Sequence, residues 1–411
     1  MDGSSELHAA LCAAVDAAFE REQVPWIRRL VDQPSHTYAK DDVEAAAQIV
    51  DAAAAGLGLE IARIPDTEGR FADHRIYSTP ATGDARAVAL VGHVDTVFPR
   101  SLGFLHFARD PEDRDIIRGP GVLDMKTGIS AVIYALRALR EVDRPRFERL
   151  KARLVVVADE EVGSPSSGSL VFDELAPKTS AAMVFEAGRV EDRIVTRRKG
   201  GGMFRITAHG HAAHAGNDHQ AGRNAIHALA LLIPRLEALT DYARGVTLNV
   251  GLIEGGTAKN TVPDRATIAI DTRFETVADA DAMVAAIEAL VADPFAGLAG
   301  VPERLREVRF ELVGGVTRPP MEATPATQEL RARYERHAAA VGLMVGEAPL
   351  QGGGSDANLL AARGVPCIDG LGPAGRFYHR LDEWSSLDSL RRRTQALALF
   401  LADERVDDLR D

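Results

Sequence analysis

The chain has only two cysteines among its 411 residues, Cys12 and Cys367, and they form no CxxC motif. A disulfide framework is therefore not expected, which favours a reducing compartment. No apolar run approaches the ~18 residues that a membrane-spanning helix needs. The alanine-rich stretch 9–18 is interrupted by Asp16, so it does not match an export signal. These features predict a cytoplasmic protein.

Basic residues are also outnumbered, with 48 lysines and arginines against 60 acidic residues and a formal charge of -12. Nucleic acids and anionic membranes require a basic face, so neither is expected as a partner. The 46% hydrophobic and 26% charged residues are typical of a globular protein. A chain of this length can form two domains, each with its own core.

Several common catalytic motifs are missing from the sequence, namely HExxH, GxSxG and the P-loop lysine motif. Neither cysteine lies in a motif that would mark it as a nucleophile. The candidate chemistry therefore has to come from acidic and histidine residues.

Short apolar runs alternate with helical patterns in the first half of the chain. Three runs are predicted to be buried strands: Ala87–Val91, Leu154–Ala158 and Ala181–Phe185. The stretches Val43–Leu57 and Met125–Leu139 have helical periodicity. This alternation predicts an α/β fold with a mostly parallel central sheet.

Acidic and histidine residues follow these predicted strands. His93 comes after the first strand, Glu160 and Glu161 after the second, and Glu186 after the third. Ligands of open α/β sheets bind at the carboxyl ends of the strands. Carboxylates at the end of a buried strand are costly unless a cation or hydrogen bonds hold them. With the late His379, these residues predict a metal site.

The pattern changes near residue 200, where a β-α-β-β-α-β order begins. Its predicted elements are Met203–Ala208, Asn224–Leu239, Thr247–Leu252, Arg265–Arg273, Ala278–Ala292 and Val308–Leu312. This order is that of the ferredoxin-like split motif. The sequence therefore predicts a catalytic domain of residues 1–199 and 315–411, with an inserted α+β domain of residues 200–314.

Imidazole combined with several carboxylates suits zinc, and also cobalt or manganese. The spacing of His93 and Asp95 lets the carboxylate receive an imidazole N–H and orient the ring. Asp124 has two oxygens that can bridge two cations, although a helix N-cap is an alternative role. Of Glu160 and Glu161, one can bind metal while the other contacts the attacking water.

These residues lie within a series of motifs that resembles one known family. In chain order the motifs are GHVDTV at 92–97, GVLDMK at 121–126, ADEEVG at 158–163, Glu186, AHAG at 213–216, NTVPD at 260–264, DTR at 271–273, GGGSDAN at 352–358 and Tyr378-His379. Over nearly its whole length, the chain resembles the zinc-exopeptidase-like family of glutamate carboxypeptidase, acetylornithine deacetylase, succinyl-diaminopimelate desuccinylase and aminoacylase.

The resemblance implies a centre of two zinc ions. His93, Asp124 and Glu186 would hold one ion, and Asp124, Glu161 and His379 would hold the other. It also implies that Glu160 is the catalytic carboxylate and that Asp95 orients a histidine ligand.

The resemblance further implies a homodimer formed through the inserted domain, whose His214 reaches the active site of the partner. Asn260 and Arg273 would bind the substrate carboxylate or polarise the scissile carbonyl, and a loop of Gly353, Gly354 and Ser355 would line the pocket. Alternatives stay open from the residues alone. Asn260 precedes a proline turn, Arg273 has Asp271 as a neighbour, and a glycine run can be only a turn.

The expected function is hydrolysis of a peptide or amide bond next to a free carboxylate, as in a glutamate-carboxypeptidase-like exopeptidase. The alternatives are an N-acyl-amino-acid deacylase, a one-metal enzyme and a non-catalytic metal-containing binding protein. Two departures from the family pattern lack a role: Asp159 adds a third acid to the Glu160-Glu161 pair, and Arg197–Lys199 is unusually basic.

Overall fold

The computed structural model describes residues 3–189, 191–344 and 346–403. The strands, numbered along the chain, are β1 (Glu60–Ile64), β2 (His74–Ser78), β3 (Ala87–His93), β4 (Ala108–Arg109), β5 (Ile116–Arg118), β6 (Ala152–Val157), β7 (Thr179–Val184), β8 (Gly200–His209), β9 (Ala213–His214), β10 (Thr247–Gly255), β11 (Thr261–Val262), β12 (Arg265–Phe274), β13 (Arg309–Arg318), β14 (Cys367–Ile368), β15 (Gly375–Arg376) and β16 (Trp384–Ser386). The α-helices are α1 (Gly3–Ala18), α2 (Val24–Asp32), α3 (Lys40–Leu57), α4 (Lys126–Val142), α5 (Arg144–Arg149), α6 (Ala225–Glu237), α7 (Val277–Ala292), α8 (Pro325–Ala340), α9 (Asp356–Ala362) and α10 (Leu387–Ala402).

The chain divides into two compact units. The first unit comprises Met1–Arg197, Ala323–Gln351 and Ser355–Asp411, and the second comprises Arg198–Glu322 and Gly352–Gly354. The second unit extends beyond the predicted residue 314 because strand β13 continues to Arg318. Within the described ranges, no helix has the length and apolar character needed to cross a membrane.

The first unit contains a six-stranded sheet in the order β1-β2-β6-β3-β7-β14. Strands β6, β3, β7 and β14 run parallel, whereas β1 and β2 add an antiparallel edge. Every residue of β3, β6 and β7 is buried, as expected for strands covered on both faces. The structure thus confirms the mostly parallel α/β layer.

Helix α4 packs closely against this sheet because of one glycine. A Cβ atom at Gly128 would lie 2.2 Å from the carbonyl oxygen of Phe185, so only glycine permits this approach. Phe185 directly precedes Glu186, and Asp124 lies just before the start of α4. The close contact therefore brings the segments that carry these two acids together.

A small antiparallel sheet, in the order β15-β16-β5-β4, positions the turn that contains His379. This turn lies between β15 and β16, and β16 pairs with β5 through Trp384 and Arg118. Because β5 leads into the segment before α4, the pairing links the His379 turn to the Asp124 segment.

The second unit contains an antiparallel sheet in the order β13-β8-β12-β10, with helices α6 and α7 between its strands in sequence. Buried side chains of β8, β12 and both helices form one hydrophobic core, which includes Ile206, Leu229, Ile268 and Ile287. The strand order and the β-α-β-β-α-β connectivity are those of the ferredoxin-like motif.

Candidate metal centre

Two groups of potential metal ligands share Asp124. His93, Asp124 and Glu186 form one group, Asp124, Glu161 and His379 form the other, and the ligand atoms of each group lie within 4.8 Å of one another. His93 Nε2 is 3.2 Å from Asp124 Oδ1, whereas His379 Nε2 is 3.3 Å from Asp124 Oδ2. The two oxygens of one carboxylate therefore face different histidines, which is the arrangement of a bridging ligand.

The remaining distances complete both groups. His93 Nε2 lies 3.5 Å from Glu186 Oε1, and His379 Nε2 lies 2.9 Å from Glu161 Oε2. His93 is the last residue of β3, Glu161 follows β6, and Glu186 follows β7. Because these three strands are parallel neighbours, their carboxyl ends bring the ligands to the same edge of the sheet.

The electrostatics of the shared acid depend on both histidines. Burial alone would raise the pKa of Asp124, but hydrogen bonds from His379 and His93 outweigh it and hold that pKa well below its usual range. Burial would lower the pKa of His93, yet its hydrogen bonds to Asp124 and Asp95 raise it well above the ordinary value. Asp124 is therefore held as a carboxylate.

The pKa values of the other three candidate ligands are all raised. Burial, followed by repulsion from Asp124, raises the pKa of Glu161 to about 8 and that of Glu186 well above the glutamate value. Hydrogen bonds to Asp124 and Glu161 raise the pKa of His379 to about 11. Three buried carboxyl groups at such short distances thus need compensating positive charge. Two histidines and three carboxylates form a donor set that fits a pair of divalent cations, which would displace the protons.

Asp95 contacts both His93 and the Glu161 segment. His93 Nδ1 lies 3.1 Å from the carbonyl oxygen of Asp95 and 3.3 Å from its carboxylate. The Thr37 hydroxyl donates to Asp95 Oδ2 at 2.7 Å, and the Glu161 N–H donates to the same oxygen at 3.3 Å. Asp95 can therefore orient the His93 ring, as its spacing predicts, while it also holds the Glu161 backbone.

Glu160 is half-buried and begins the short helical turn Glu160–Val162, which directly follows Asp159. The Asp159 carboxylate accepts the N–H groups of Ser166 and Ser167 at 2.7 and 3.0 Å and the Ser167 hydroxyl at 2.6 Å. The additional acid of the triplet thus stabilises the loop that carries Glu160 and Glu161, because its carboxylate bonds to Ser166 and Ser167.

The buried residue His74 adds further hydrogen bonds to this loop. His74 Nδ1 accepts the Ala158 N–H at 3.3 Å, so the ring proton lies on Nε2 and is donated to the Ser166 hydroxyl at 3.1 Å. Ser166 in turn donates to Asp66 at 2.7 Å. This directed chain of hydrogen bonds connects β2 to the loop that carries Glu160 and Glu161.

Two buried charged residues next to Asp124 have no counterpart in the sequence predictions. The Glu383 carboxylate accepts the N–H groups of Leu123 and Asp124 at 2.7 and 3.3 Å, and burial raises its pKa to about 8. Lys126 donates to the carbonyl oxygens of Leu30 and Gln33 at 2.9 and 2.8 Å, and burial lowers its pKa to about 7. Lys126 does lie in the GVLDMK motif, whereas Glu383 has no local signal except its proximity to His379.

His214 and Asn260 are close together in the second unit. Strands β9 and β11 pair through His214 and Thr261, and the Ala215 N–H donates to the Asn260 carbonyl at 2.9 Å. His214 Nδ1 accepts the N–H groups of Gly216 and Asn217, both at 3.1 Å. The ring proton is therefore on the exposed Nε2, where it can be donated to a ligand.

The other predicted substrate residues have structural partners. Arg273 forms a bidentate pair with Asp271, with both hydrogen bonds at 2.9 Å. The Gly353 carbonyl accepts from Arg198, and a Cβ atom at Gly354 would lie 2.3 Å from Arg318 Cδ. Ser355 is buried and caps helix α9, and its hydroxyl donates to Asp369 at 2.5 Å.

The basic run at residues 197–199 makes contacts within its own units. Arg197 lies 3.6 Å from Glu347, Arg198 donates to Gly353, and Lys199 donates to the Gly245 carbonyl at 2.6 Å. These contacts give the run a structural role.

The mostly parallel sheet, the candidate dinuclear centre at its edge and the separate α+β unit define a class of protein, the metal-dependent peptidases and amide hydrolases. A family model described as a peptidase dimerisation domain matches residues 196–298. The chain is 24% identical to carboxypeptidase G2 of Pseudomonas sp. strain RS-16, with 92% of this chain and 88% of that protein covered. It is 27% identical to the succinyl-diaminopimelate desuccinylase of Gluconacetobacter diazotrophicus, with 91% and 94% covered.

A Bacillus subtilis protein described as a dinuclear metal binding peptidase from the M20 family has the same fold, with a TM-score of 0.67 and 15% identity over 94% of this chain and 98% of that one. The chain is thus similar to M20-family peptidases and is a metal-dependent hydrolase of amide bonds.

Proposed function

We propose that the protein is a zinc-dependent exopeptidase that cleaves a peptide or amide bond next to a free carboxylate. The observation that carries the proposal is the position of Asp124, whose two oxygens face His93 and His379 separately. His93 and Glu186 would complete one zinc site, and Glu161 and His379 the other. When bound, the zinc pair polarises the scissile carbonyl and lowers the pKa of water.

Glu160 is proposed as the general base and acid. It is adjacent to the ligand Glu161, and its loop is held by Asp159. A carboxylate at this position can accept a proton from the attacking water and transfer it to the leaving amine. Asp95 keeps the His93 ring oriented throughout, because it contacts Nδ1.

Substrate binding is assigned mainly to residues of the second unit. His214 has its ring proton on Nε2, so it suits donation to the developing oxyanion of the partner's substrate. Arg273 would bind the substrate carboxylate with its planar guanidinium, which requires release from Asp271. Asn260 and the loop of Gly353, Gly354 and Ser355 would line the same pocket. Ser355 caps helix α9, so its hydrogen bonds connect this loop to the helix.

The proposed assembly is a homodimer through the second unit. Its support is the match of residues 196–298 to a peptidase dimerisation domain. The proposed location is the cytoplasm, because both Cys12 and Cys367 are free thiols. Cell fractionation with detection of the protein in the membrane-free, non-secreted fraction tests the location.

The first experiment compares the zinc-loaded protein with its Glu160→Gln variant on dipeptides, glutamate conjugates of aromatic acids and N-acyl amino acids. Mass spectrometry of the released amino acids measures turnover. We expect Glu160→Gln to lose about 10²- to 10⁴-fold in kcat because the proton acceptor is gone, with the metal content unchanged. Glu174→Gln, at an exposed position of the first unit, is the matched control.

The runner-up function is an N-acyl-amino-acid deacylase, which uses the same chemistry and resembles the desuccinylase relative. Release from the N-acyl pool alone would favour it over the exopeptidase. Full activity of Glu160→Gln would show that another residue is the base. No release by a wild type that contains two zinc ions would leave the metal-containing binding protein, and one ion per chain with activity would indicate the one-metal enzyme.

A further inference from the structure

A cavity of about 620 Å³ opens beside His379 in the first unit. His379 forms part of its wall, and His379 Nε2 lies 2.9 Å from Glu161 and 3.3 Å from Asp124. A group in the cavity therefore contacts a side chain of the candidate metal centre. Cavities of this volume are typical of small-molecule binding sites.

The other walls are mainly apolar. The loop that follows β3 contributes Val97, Phe98 and Leu102, and the turn after His379 contributes Leu381. Leu102 and Leu381 are 49% and 54% exposed, so two large apolar side chains meet solvent in the same cavity. An apolar ligand group that covers them would gain hydrophobic stabilisation.

Apart from the candidate metal ligand His379, the cavity wall has two charged residues, Arg380 and Asp382, and they neutralise each other. Arg380 donates from Nε and from a terminal nitrogen to the two oxygens of Asp382, both at 2.9 Å. The Arg380 guanidinium also lies over the Phe377 ring, 4.7 Å from its centroid. Because this pair is bidentate, each charge is already matched, and an ionic ligand group gains little here.

The loop that carries Leu102 is held in place without a ligand. Arg100 forms two hydrogen bonds with Asp42, both at 2.7 Å. The rings of Phe98 and Phe104 pack edge to face with centroids 5.0 Å apart. The apolar wall is therefore pre-formed, and binding does not have to order it.

We propose that this cavity receives the apolar acyl group of the substrate, an alkyl chain or an aromatic ring attached to the scissile carbonyl. The inference rests on the proposed amide hydrolysis and names the acyl side of the substrate. An acyl group that ends in a carboxylate is disfavoured, because its charge would lose hydration while Arg380 in the cavity wall stays paired with Asp382.

The test uses N-acetyl, N-butanoyl, N-hexanoyl and N-succinyl derivatives of the amino acid that the wild type releases fastest. We expect kcat/KM to rise about fourfold for each methylene that the cavity buries, a ratio that corresponds to about 0.8 kcal/mol. The N-succinyl derivative should react more slowly than N-butanoyl, since the two chains have the same length and differ in the terminal carboxylate.

The variant with both Leu102→Asn and Leu381→Asn should lose most of this dependence on chain length. Met344→Gln is the matched control, because Met344 is 53% exposed in the first unit and does not line the cavity. Calorimetric titration of the Glu160→Gln variant with the same compounds measures how binding affinity depends on the acyl chain, without turnover.

Three results would overturn the inference: no dependence on chain length in the wild type, an unchanged dependence in the double variant, or faster hydrolysis of the N-succinyl derivative. Absence of hydrolysis for every derivative and peptide would instead overturn the proposed function. The calorimetric preference would still decide whether the cavity binds apolar acyl groups.

Discussion

Asp124 belongs to both groups of the candidate metal centre, and Glu383 holds its backbone. The Glu383 carboxylate is buried and accepts the N–H groups of Leu123 and Asp124. Glu383 lies four residues after His379 in the chain. It therefore connects Asp124, the candidate bridging ligand, to the turn that carries the candidate ligand His379, and residues in such positions commonly tune metal affinity.

Replacement of Glu383 by leucine should lower the affinity of the centre for metal by about 10- to 100-fold. The reason is that two buried N–H groups lose their acceptor. Glu383→Gln retains an acceptor oxygen and should lose less. Competition with a chromogenic chelator measures the affinity, and circular dichroism checks the fold. Equal affinities of Glu383→Leu and the wild type would assign Glu383 no role in positioning Asp124.

Single residues also show which parts of the site the sequence can predict. His93, Glu161 and Glu186 are recognisable because they follow buried apolar strands, and the structure brings them together with Asp124 and His379. Glu383, Lys126 and Thr37 act by hydrogen bonding to groups that are distant in sequence. Such contacts exist only after folding, so no local pattern indicates the hydrogen bonds that these residues form.

Among the elements, the apolar strands were predictable and β2 was not. Strands β3, β6 and β7 are continuous apolar runs, which sequence patterns detect. Strand β2 instead begins with His74 and Arg75, both fully buried. Arg75 pairs with Glu44 at 2.5 Å, and His74 bonds to Ser166. These two side chains are buried with polar partners from other elements. The strand therefore lacks the apolar run by which a buried strand is recognised in the sequence.

The free energy of unfolding of the protein should depend on pH because His74 of β2 is buried. Burial lowers the pKa of His74 below 6.5, although Asp159 opposes the shift. As the pH falls below about 6.5, His74 binds a proton in the unfolded chain but not in the folded protein. The free energy of unfolding therefore decreases between pH 6.5 and the lower pKa that His74 has in the folded protein. The loss has a slope of at most about 1.4 kcal/mol per pH unit.

Urea denaturation at pH 5 to 8, in the presence of chelator, tests this expectation. The difference in free energy of unfolding between the wild type and His74→Gln should narrow as the pH falls from 7 to 5. His106→Gln removes an exposed histidine and is the control. A constant difference across the range would contradict the assignment of a neutral, buried His74.

At the scale of the whole molecule, we expect the second unit to form the homodimer through strand β10. This strand is one edge of the sheet, and its Leu252 and Ile253 are 66% and 54% exposed. Edge strands with exposed apolar side chains readily pair with another chain. Residues 196–298, which match the dimerisation domain, include β10 but not the other edge strand, β13.

We expect native mass spectrometry at micromolar concentration to detect two chains per particle. The double variant Leu252→Lys, Ile253→Lys should shift the population to single chains, because four charges would face each other across the interface. Met344→Lys changes an exposed apolar residue of the first unit and should remain dimeric. A wild type with one chain per particle would refute the homodimer.

The order of elements in the second unit followed from the sequence, but the end of β13 did not. Val313 is followed by Gly314 and Gly315, which resemble the end of a strand. In the structure β13 continues, because Gly314 adopts φ +121° and Arg318 still pairs with Gly201. Pairing with a long neighbouring strand overrides the local glycine signal.

The entry and exit of the second unit lie side by side. Arg198 and Met321 exchange two backbone hydrogen bonds, each 3.0 Å long, at the points where the chain enters and leaves. Only the three residues Gly352–Gly354 belong to this unit from elsewhere in the chain. A segment with adjacent ends can be gained, lost or exchanged as a cassette while the host keeps its connectivity. Recombination can therefore combine one metal-binding core with many different recognition modules.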